Sequence, residues 1–223
     1  MGTPVEKHFD NIAKEYDFFK QKNWYYYKNL KNLYKELIPS TAESVLEIGC
    51  GTGDLIYGLN CKKKTGIDIS PEMIAIAKQK YPMINFKAVT IENFDSNYVF
   101  DYIFLADVIE HLEDISSNIK AISKICSNET KIIFTYANPL WEFILLFLEK
   151  LSLKMPEGPH YRIPYFKFKE IFEQYGFITI KRDWRLIFPA NIPLFSNFVN
   201  RIFYKIPLLK RLGMLEYIII VKK

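Results

Sequence analysis

Glu47, Gly49, Gly51, Gly53 and Asp68 are the residues whose types and spacing most directly suggest chemistry. The stretch from Ser44 to Asp54 runs from an apolar segment, Val45-Leu46 and Ile48, through three glycines at alternate positions into a second apolar segment, Leu55-Ile56 to Leu59. That order predicts strand, tight turn and helix. Glycines let the backbone bend sharply and let a ligand approach main chain with no Cβ in the way. Helix N-terminal amides beyond the turn favour an anionic group. Another short apolar segment, Thr65-Gly66-Ile67, ends on Asp68, about 20 residues after the first glycine, where a carboxylate is placed to accept ribose hydroxyls. Loop and acid together predict a nucleoside site. Asp54 stands where a dinucleotide fingerprint needs its third glycine, and there is no Gly-Lys-Ser/Thr phosphate loop. Glu47 beside the turn would repel a pyrophosphate and attract the ammonium of an amino acid.

The other compact titratable cluster is Asp107, Glu110 and His111, just beyond the apolar run that ends at Leu105. With an ordinary pKa of about 6.5, His111 suits a general base toward a hydroxyl acceptor; the structural alternative is that it caps a turn and lines a pocket. No Ser-His-Asp or Cys-His set is evident, which argues against a hydrolase but not against group transfer to a bound nucleophile.

Glu47-x-Gly49-x-Gly51-x-Gly53 resembles motif I of the class I S-adenosylmethionine (SAM) methyltransferases. Asp68-Ile69-Ser70-Pro71-Glu72-Met73-Ile74 looks like the family's next motif, with Ser70 as helix cap and Pro71 at the first helical position. Asp101 to Leu112 looks like its fourth strand and following turn, and the resemblance covers roughly residues 8 to 137. It implies SAM as cofactor and S-adenosylhomocysteine as product. Glu47, Gly49, Cys50, Gly51, Gly53, Asp68, Ile69, Ala106 and Asp107 are then the expected cofactor contacts. Family members usually carry an acid near Thr90 for the adenine amino group; this chain departs from that pattern, leaving the contact to Thr90 and main chain near Ile91, or to Glu92. His8-Phe9-Asp10 and Glu15-Tyr16-Asp17 resemble the amino-terminal segment that folds over SAM, with Tyr16 the expected contact. Asp107-x-x-Glu110-His111 is similar to a Glu-x-x-Glu-His set that binds a divalent metal in certain quinone and small-RNA methyltransferases. The first ligand is the shorter Asp107 here, and no metal is expected. His160-Tyr161-Arg162 resembles a segment that faces the acceptor pocket in small-molecule methyltransferases, so Asp107, His111 and His160 are the catalytic candidates.

These residues require a scaffold of alternating strands and helices. Apolar periodicity predicts helices over Val5–Leu37, Pro71–Lys80, Ile115–Ile125 and Lys167–Tyr175, and strands over Ile84–Val89, Asp101–Leu105, Lys131–Tyr136, Phe177–Trp184 and Glu216–Val221. The expected fold is α/β: a doubly wound, mostly parallel seven-stranded sheet with helices on both faces and an N-terminal helical lid. The family fold would place the last strand antiparallel at the edge. One domain spans 1–223, with the lid at 1–40, the SAM-binding core at 41–137 and a substrate-side region with apolar insertions at 138–223.

The 223 residues suit one α/β domain. Aromatics are abundant, with 18 Phe and 15 Tyr, and the net charge of +5 is dispersed. No nucleic-acid-binding module is visible, so a nucleic-acid partner is not expected. Cys50, Cys61 and Cys126 show no metal spacing and fit a reducing compartment. Met1 to Phe9 has no apolar core for a signal peptide, and no apolar run reaches membrane-spanning length. The expectation is a cytoplasmic protein. Segments 140–155 and 192–212 are apolar, and the second carries Arg201, Lys205, Lys210 and Arg211. They suit peripheral contact with an inner membrane face, or mutual burial or a homodimer. The function implied is methyl transfer from SAM to a small-molecule or lipid-linked acceptor, at oxygen. The alternatives are a non-catalytic SAM-binding regulatory or assembly protein and a metal-dependent RNA methyltransferase.

Overall fold

The computed structural model describes residues 2–151, 153–156, 158–159 and 164–223. The chain opens with α1 (Pro4–Lys22) and α2 (Trp24–Leu37). Thr3 caps α1 by accepting the Glu6 N–H at 3.1 Å, and Pro4 fills the first position, where no amide is needed. The strands are β1 (Ser44–Ile48), β2 (Lys63–Asp68), β3 (Asn85–Ala88), β4 (Tyr102–Ala106), β5 (Lys131–Ala137), β6 (Phe177–Arg185) and β7 (Leu215–Lys222). Between them run α3 (Asp54–Tyr57), α4 (Pro71–Lys80), α5 (Ile115–Lys124), α6 (Glu142–Lys150), α7 (Tyr165–Gln174) and α8 (Phe195–Ile202).

All seven strands form one sheet in the order β3-β2-β1-β4-β5-β7-β6. The first five are parallel, and β7 runs antiparallel to both β5 and β6. The last strand is therefore antiparallel as expected, but it is not at the edge: β7 lies between β5 and β6. Its composition explains the correction. Leu215 to Ile220 are buried on both faces, which only an interior strand allows. On β6 most side chains are partly or fully exposed, and the register slips between Thr179 and Lys181, a bulge of the kind that protects an edge.

Alternation along the strands sorts the core into two layers. Ile103 and Leu105 of β4 face α5 and α7, where Ile119, Ile122 and Phe172 are fully buried. Tyr102 and Phe104 face the opposite way, toward α2, α3 and α4. The second half of α2 thus belongs to the core: Leu30, Leu33 and Tyr34 are buried against the sheet. α1 and the first part of α2, as far as Asn32, also line the cavity at the nucleotide end of the sheet.

Tyr34 shows how tightly α2 is fixed. Its hydroxyl donates to the Leu105 carbonyl at 3.0 Å and lies 3.2 Å from Thr135 Oγ1, while its ring packs on Phe104 at 4.7 Å. Tyr34→Phe keeps the ring and deletes the donor, so it should lower stability by about 1–3 kcal/mol, the cost of leaving buried acceptors unmatched. Urea unfolding checks this, and an unchanged midpoint would mean that the hydroxyl is energetically idle.

Candidate active site

The turn after β1 is built from positive-φ backbone. Gly51 has φ +51°, and a Cβ there would lie 3.1 Å from the Tyr16 ring. Gly49 has φ +73°, and a Cβ there would collide with the Val108 side chain. The turn is a cradle that only glycine leaves open, with Tyr16 above it and Val108 beside it. Gly53 lies behind this cradle, at the start of α3 against Phe86, and does not line the cavity.

The amide end beyond the turn already holds a carboxylate of this chain. α3 is only four residues long, and its Ile56 N–H is taken at 3.1 Å by Oε2 of Glu47. Glu47 therefore stabilises the short helix as well as lining the cavity. Burial pushes its pKa up to about 8, opposed by the Lys20 ammonium and the Ile56 amide.

Asp68 ends β2 with both carboxylate oxygens on backbone amides: Gly51 N–H at 2.7 Å and Ser70 N–H at 2.9 Å. Burial raises its pKa, and the two amide bonds oppose that rise. Ser70 in turn caps α4 through Met73 N–H and donates its own hydroxyl to Asp10 of α1 at 2.5 Å. Asp17 makes the second link from α1, accepting from Thr52 Oγ1 at 2.6 Å and Lys80 Nζ at 2.7 Å. These ties fasten α1 across the mouth of the turn. The resemblance places Asp10 and Asp17 in the segment that covers the cofactor, but nothing in the sequence points to their partners Ser70 and Thr52.

A cavity of about 870 Å³ follows the carboxyl ends of β2, β1, β4 and β5. Ligand pockets occupy roughly 300–1,000 Å³, so there is space for a nucleoside-sized cofactor and a second molecule. Cys50 and Ile69 line it beside the turn, as do Thr90, Ile91 and Glu92 after β3 and Ala106 at the end of β4. Tyr26, Tyr27 and Lys20 also line it and were not expected from sequence. Lys20 lies over the rings of Tyr16 and Tyr27, at 4.8 and 5.4 Å, and is a positive charge shared by Glu47, Asp54, Asp68 and Asp107, with Lys80 also at Asp54 and Lys154 also at Asp107.

Asp107 sits at φ +55°, a left-handed conformation that turns the chain sharply away from β4. Its carboxylate accepts from Tyr26 Oη at 2.6 Å and from Thr135 Oγ1 at 3.1 Å. Burial raises its pKa, with those two bonds opposing. His111 lies in the following turn, edge-on to Phe9 at 5.3 Å, with Nδ1 2.9 Å from the Pro159 carbonyl. A carbonyl only accepts, so Nδ1 carries the proton, and in the neutral ring Nε2 is the basic nitrogen. Asp107, Glu110 and His111 all line the cavity, yet Asp107 is directed toward α2 and β5. Among the described residues, no three His, Cys, Asp or Glu side chains are grouped to hold a metal ion. His160, Tyr161 and Arg162 lie outside the described residues.

A family model described as a methyltransferase domain matches residues 21–181. The chain belongs to this methyltransferase family. A demethylmenaquinone methyltransferase of Chlorobaculum tepidum is 30% identical over 137 residues, covering 55% of this chain and 55% of that protein. The chain thus matches about half the length of that relative. An uncharacterized methyltransferase of Bacillus cytotoxicus is 33% identical over 147 residues, covering 60% and 68% respectively. Among solved structures, a SAM-dependent methyltransferase from Thermotoga maritima superposes with a TM-score of 0.74 at 18% identity, covering 98% of this chain and all of the other. Magnesium protoporphyrin IX methyltransferase from Synechocystis, with bound S-adenosylhomocysteine, gives 0.64 at 15% identity, covering 98% of each chain. These likenesses establish the class I methyltransferase fold.

The donor set fits SAM. The open Gly51 cradle admits a ligand against main chain, the buried Asp68 carboxylate suits a ribose diol, and Glu47 suits an ammonium. Glu47 is largely protonated at neutral pH and an α-ammonium titrates at about 7.7–8.0, so the pair is best matched near pH 8. SAM affinity in this methyltransferase-family chain should therefore peak near pH 8 and weaken by roughly tenfold per unit below about pH 7. Glu47→Gln should remove that acid limb. Calorimetric titration across pH checks this, and an affinity that does not fall below pH 7 would separate Glu47 from the ammonium.

Proposed function

We propose that this chain transfers a methyl group from SAM to a small-molecule or lipid-linked acceptor, at oxygen. One observation carries the reading: the cavity joins nucleoside-type residues to an apolar chamber, with His111 and Asp107 between them. The strand order gives the layout. Asp68 ends β2, the glycine turn follows β1, Asp107 follows β4, and Trp141, Leu145 and Leu148 come after β5. Strands lie about 4.8 Å apart, so roughly 14 Å separate the ribose acid from the start of the apolar chamber. The Chlorobaculum relatives are named for demethylmenaquinone, which keeps a small-molecule acceptor in view.

In this reading Asp68 holds the ribose, the Gly49–Gly51 turn lies under the amino-acid end, and Thr90 with main chain at Ile91 meets the adenine. When bound, SAM supplies an electrophilic sulfonium methyl that a nucleophile displaces in line. The chain's part is then to hold the acceptor oxygen in register and to remove its proton. His111 is the base: the Pro159 carbonyl fixes its tautomer and Phe9 fixes its ring, so Nε2 receives the hydroxyl proton. Asp107, bonded to Tyr26 and Thr135, positions the wall between cofactor and acceptor. Tyr16 and α1 exclude water from above.

Two substitutions separate binding from chemistry. Asp68→Ala loses charge-assisted hydrogen bonds worth about 1.5–3 kcal/mol and should weaken SAM binding by roughly 10- to 100-fold. His111→Gln should leave SAM affinity intact and lower transfer of labelled methyl to extracted metabolites and lipids by about 10²–10⁴-fold. If wild type binds SAM but labels no acceptor in either fraction, the non-catalytic SAM-binding alternative replaces this reading.

A further inference from the structure

α6, with Trp141 at its N-cap, has two apolar faces with different surroundings. Trp141, Leu145 and Leu148 line the cavity, whereas Phe143, Ile144 and Phe147 face outward, Phe143 with 85% of its surface exposed. The outward face continues into the segment before β7. Trp141 Nε1 donates to the Leu212 carbonyl at 2.8 Å, and Asn138 holds the Arg211 and Gly213 carbonyls at 2.8 Å each. Leu140, Leu208 and Leu212 are exposed about this junction. From there the turns Leu209–Leu212 and Phe203–Lys205 pack in succession back to α8, which exposes Phe195, Phe198 and Ile202. Leu194, at the start of α8, is 87% exposed and has φ +63°, a conformation that large apolar L-residues rarely adopt.

The geometry points to this face as a docking surface for an anionic lipid bilayer, lying in the interface with α6 between the lipid and the cavity. Charge selects the occupant. Between Ile192 and Leu212 the chain carries Arg201, Lys205, Lys210 and Arg211 and no Asp or Glu. Lys210 is paired with Asp183 at 2.7 Å, while Arg201, Lys205 and Arg211 are exposed among the apolar side chains. A two-fold dimer would set this patch against itself and bring like charges together in a desolvated contact. Anionic headgroups instead neutralise the cations while the Phe and Leu side chains enter the headgroup–acyl boundary. Among the described residues no helix is long and apolar enough to cross a membrane, so the contact is with the surface. The face exists whether or not methyl transfer occurs, but its use in delivering a lipophilic acceptor through α6 rests on the proposed function.

Co-sedimentation with phosphatidylcholine vesicles, with and without phosphatidylglycerol, tests the surface in the absence of SAM. Wild type should pellet with the anionic vesicles at low salt and much less with the neutral ones. Phe143→Asp combined with Phe198→Asp should lower the vesicle-bound fraction by roughly tenfold or more. Arg201→Glu with Lys205→Glu should abolish the preference for anionic vesicles. SAM affinity, measured separately by calorimetry, should be unchanged in both variants and reports that they are folded. Wild type remaining in the supernatant with anionic vesicles overturns the proposal, as does pelleting that both variants retain. Light scattering that shows a dimer dissociated by the aspartates, without vesicle binding, likewise overturns it and gives the face to a second copy. Because the vesicle arm needs no cofactor, its failure leaves the methyl-transfer reading untouched.

Discussion

The two amide bonds accepted by Asp68 organise the site. Through Gly51 N–H the carboxylate sets the glycine turn after β1, and through Ser70 N–H it sets the cap of α4 after β2. Ser70 then passes the constraint to α1 by donating to Asp10. One buried acid thus joins two strand ends, a helix start and the covering helix. Removing an acid from water is costly, and its ionised form is tolerated here because backbone donors are aimed at it. Ligand hydroxyls would add to an arrangement that already exists, and pre-organisation of this kind limits what binding must spend on ordering.

The same neighbourhood crowds Glu47, Asp54, Asp68 and Asp107 around a single cavity, and Lys20 is the cation common to them. Lys20 comes from α1, which is also held by Asp17 on Thr52 and Lys80. α1 therefore contributes a cation shared by all four acids, beside Lys80 at Asp54 and Lys154 at Asp107. Farther along the sheet, Asp107 combines a left-handed backbone with bonds to Tyr26 and Thr135, so the wall between the two halves of the cavity is fixed from both α2 and β5. Strain of this sort persists where the surroundings over-determine a residue, and it concentrates at functional sites.

Local grammar made much of this legible. The glycine turn, the Ser70-Pro71 start of α4 and the alternation of strand and helix are all written in neighbouring residues, and the cofactor-side candidates other than Gly53 line one cavity. What was hidden depends on distant partners. Nothing near Asp10 or Asp17 announces a bond to Ser70 or Thr52, and Tyr26 finds Asp107 across 81 positions. β7 departs from the edge position that the family resemblance implies: its apolar run is buried on both faces, and β6 pairs with its outer edge. The sequence shows Glu47's charge, whereas its bond to Ile56 N–H depends on α3 being a single turn.

The most direct measurement of this account is a crystal structure of the protein with S-adenosylhomocysteine. The account predicts the ribose hydroxyls within hydrogen-bonding distance of Asp68, about 2.5–3.0 Å for such charge-assisted contacts. It also predicts the amino-acid end over the Gly49–Gly51 turn beneath Tyr16, and open space continuing past His111 toward Leu145. A ligand bound elsewhere, or one in this cavity whose ribose does not contact Asp68, would contradict it.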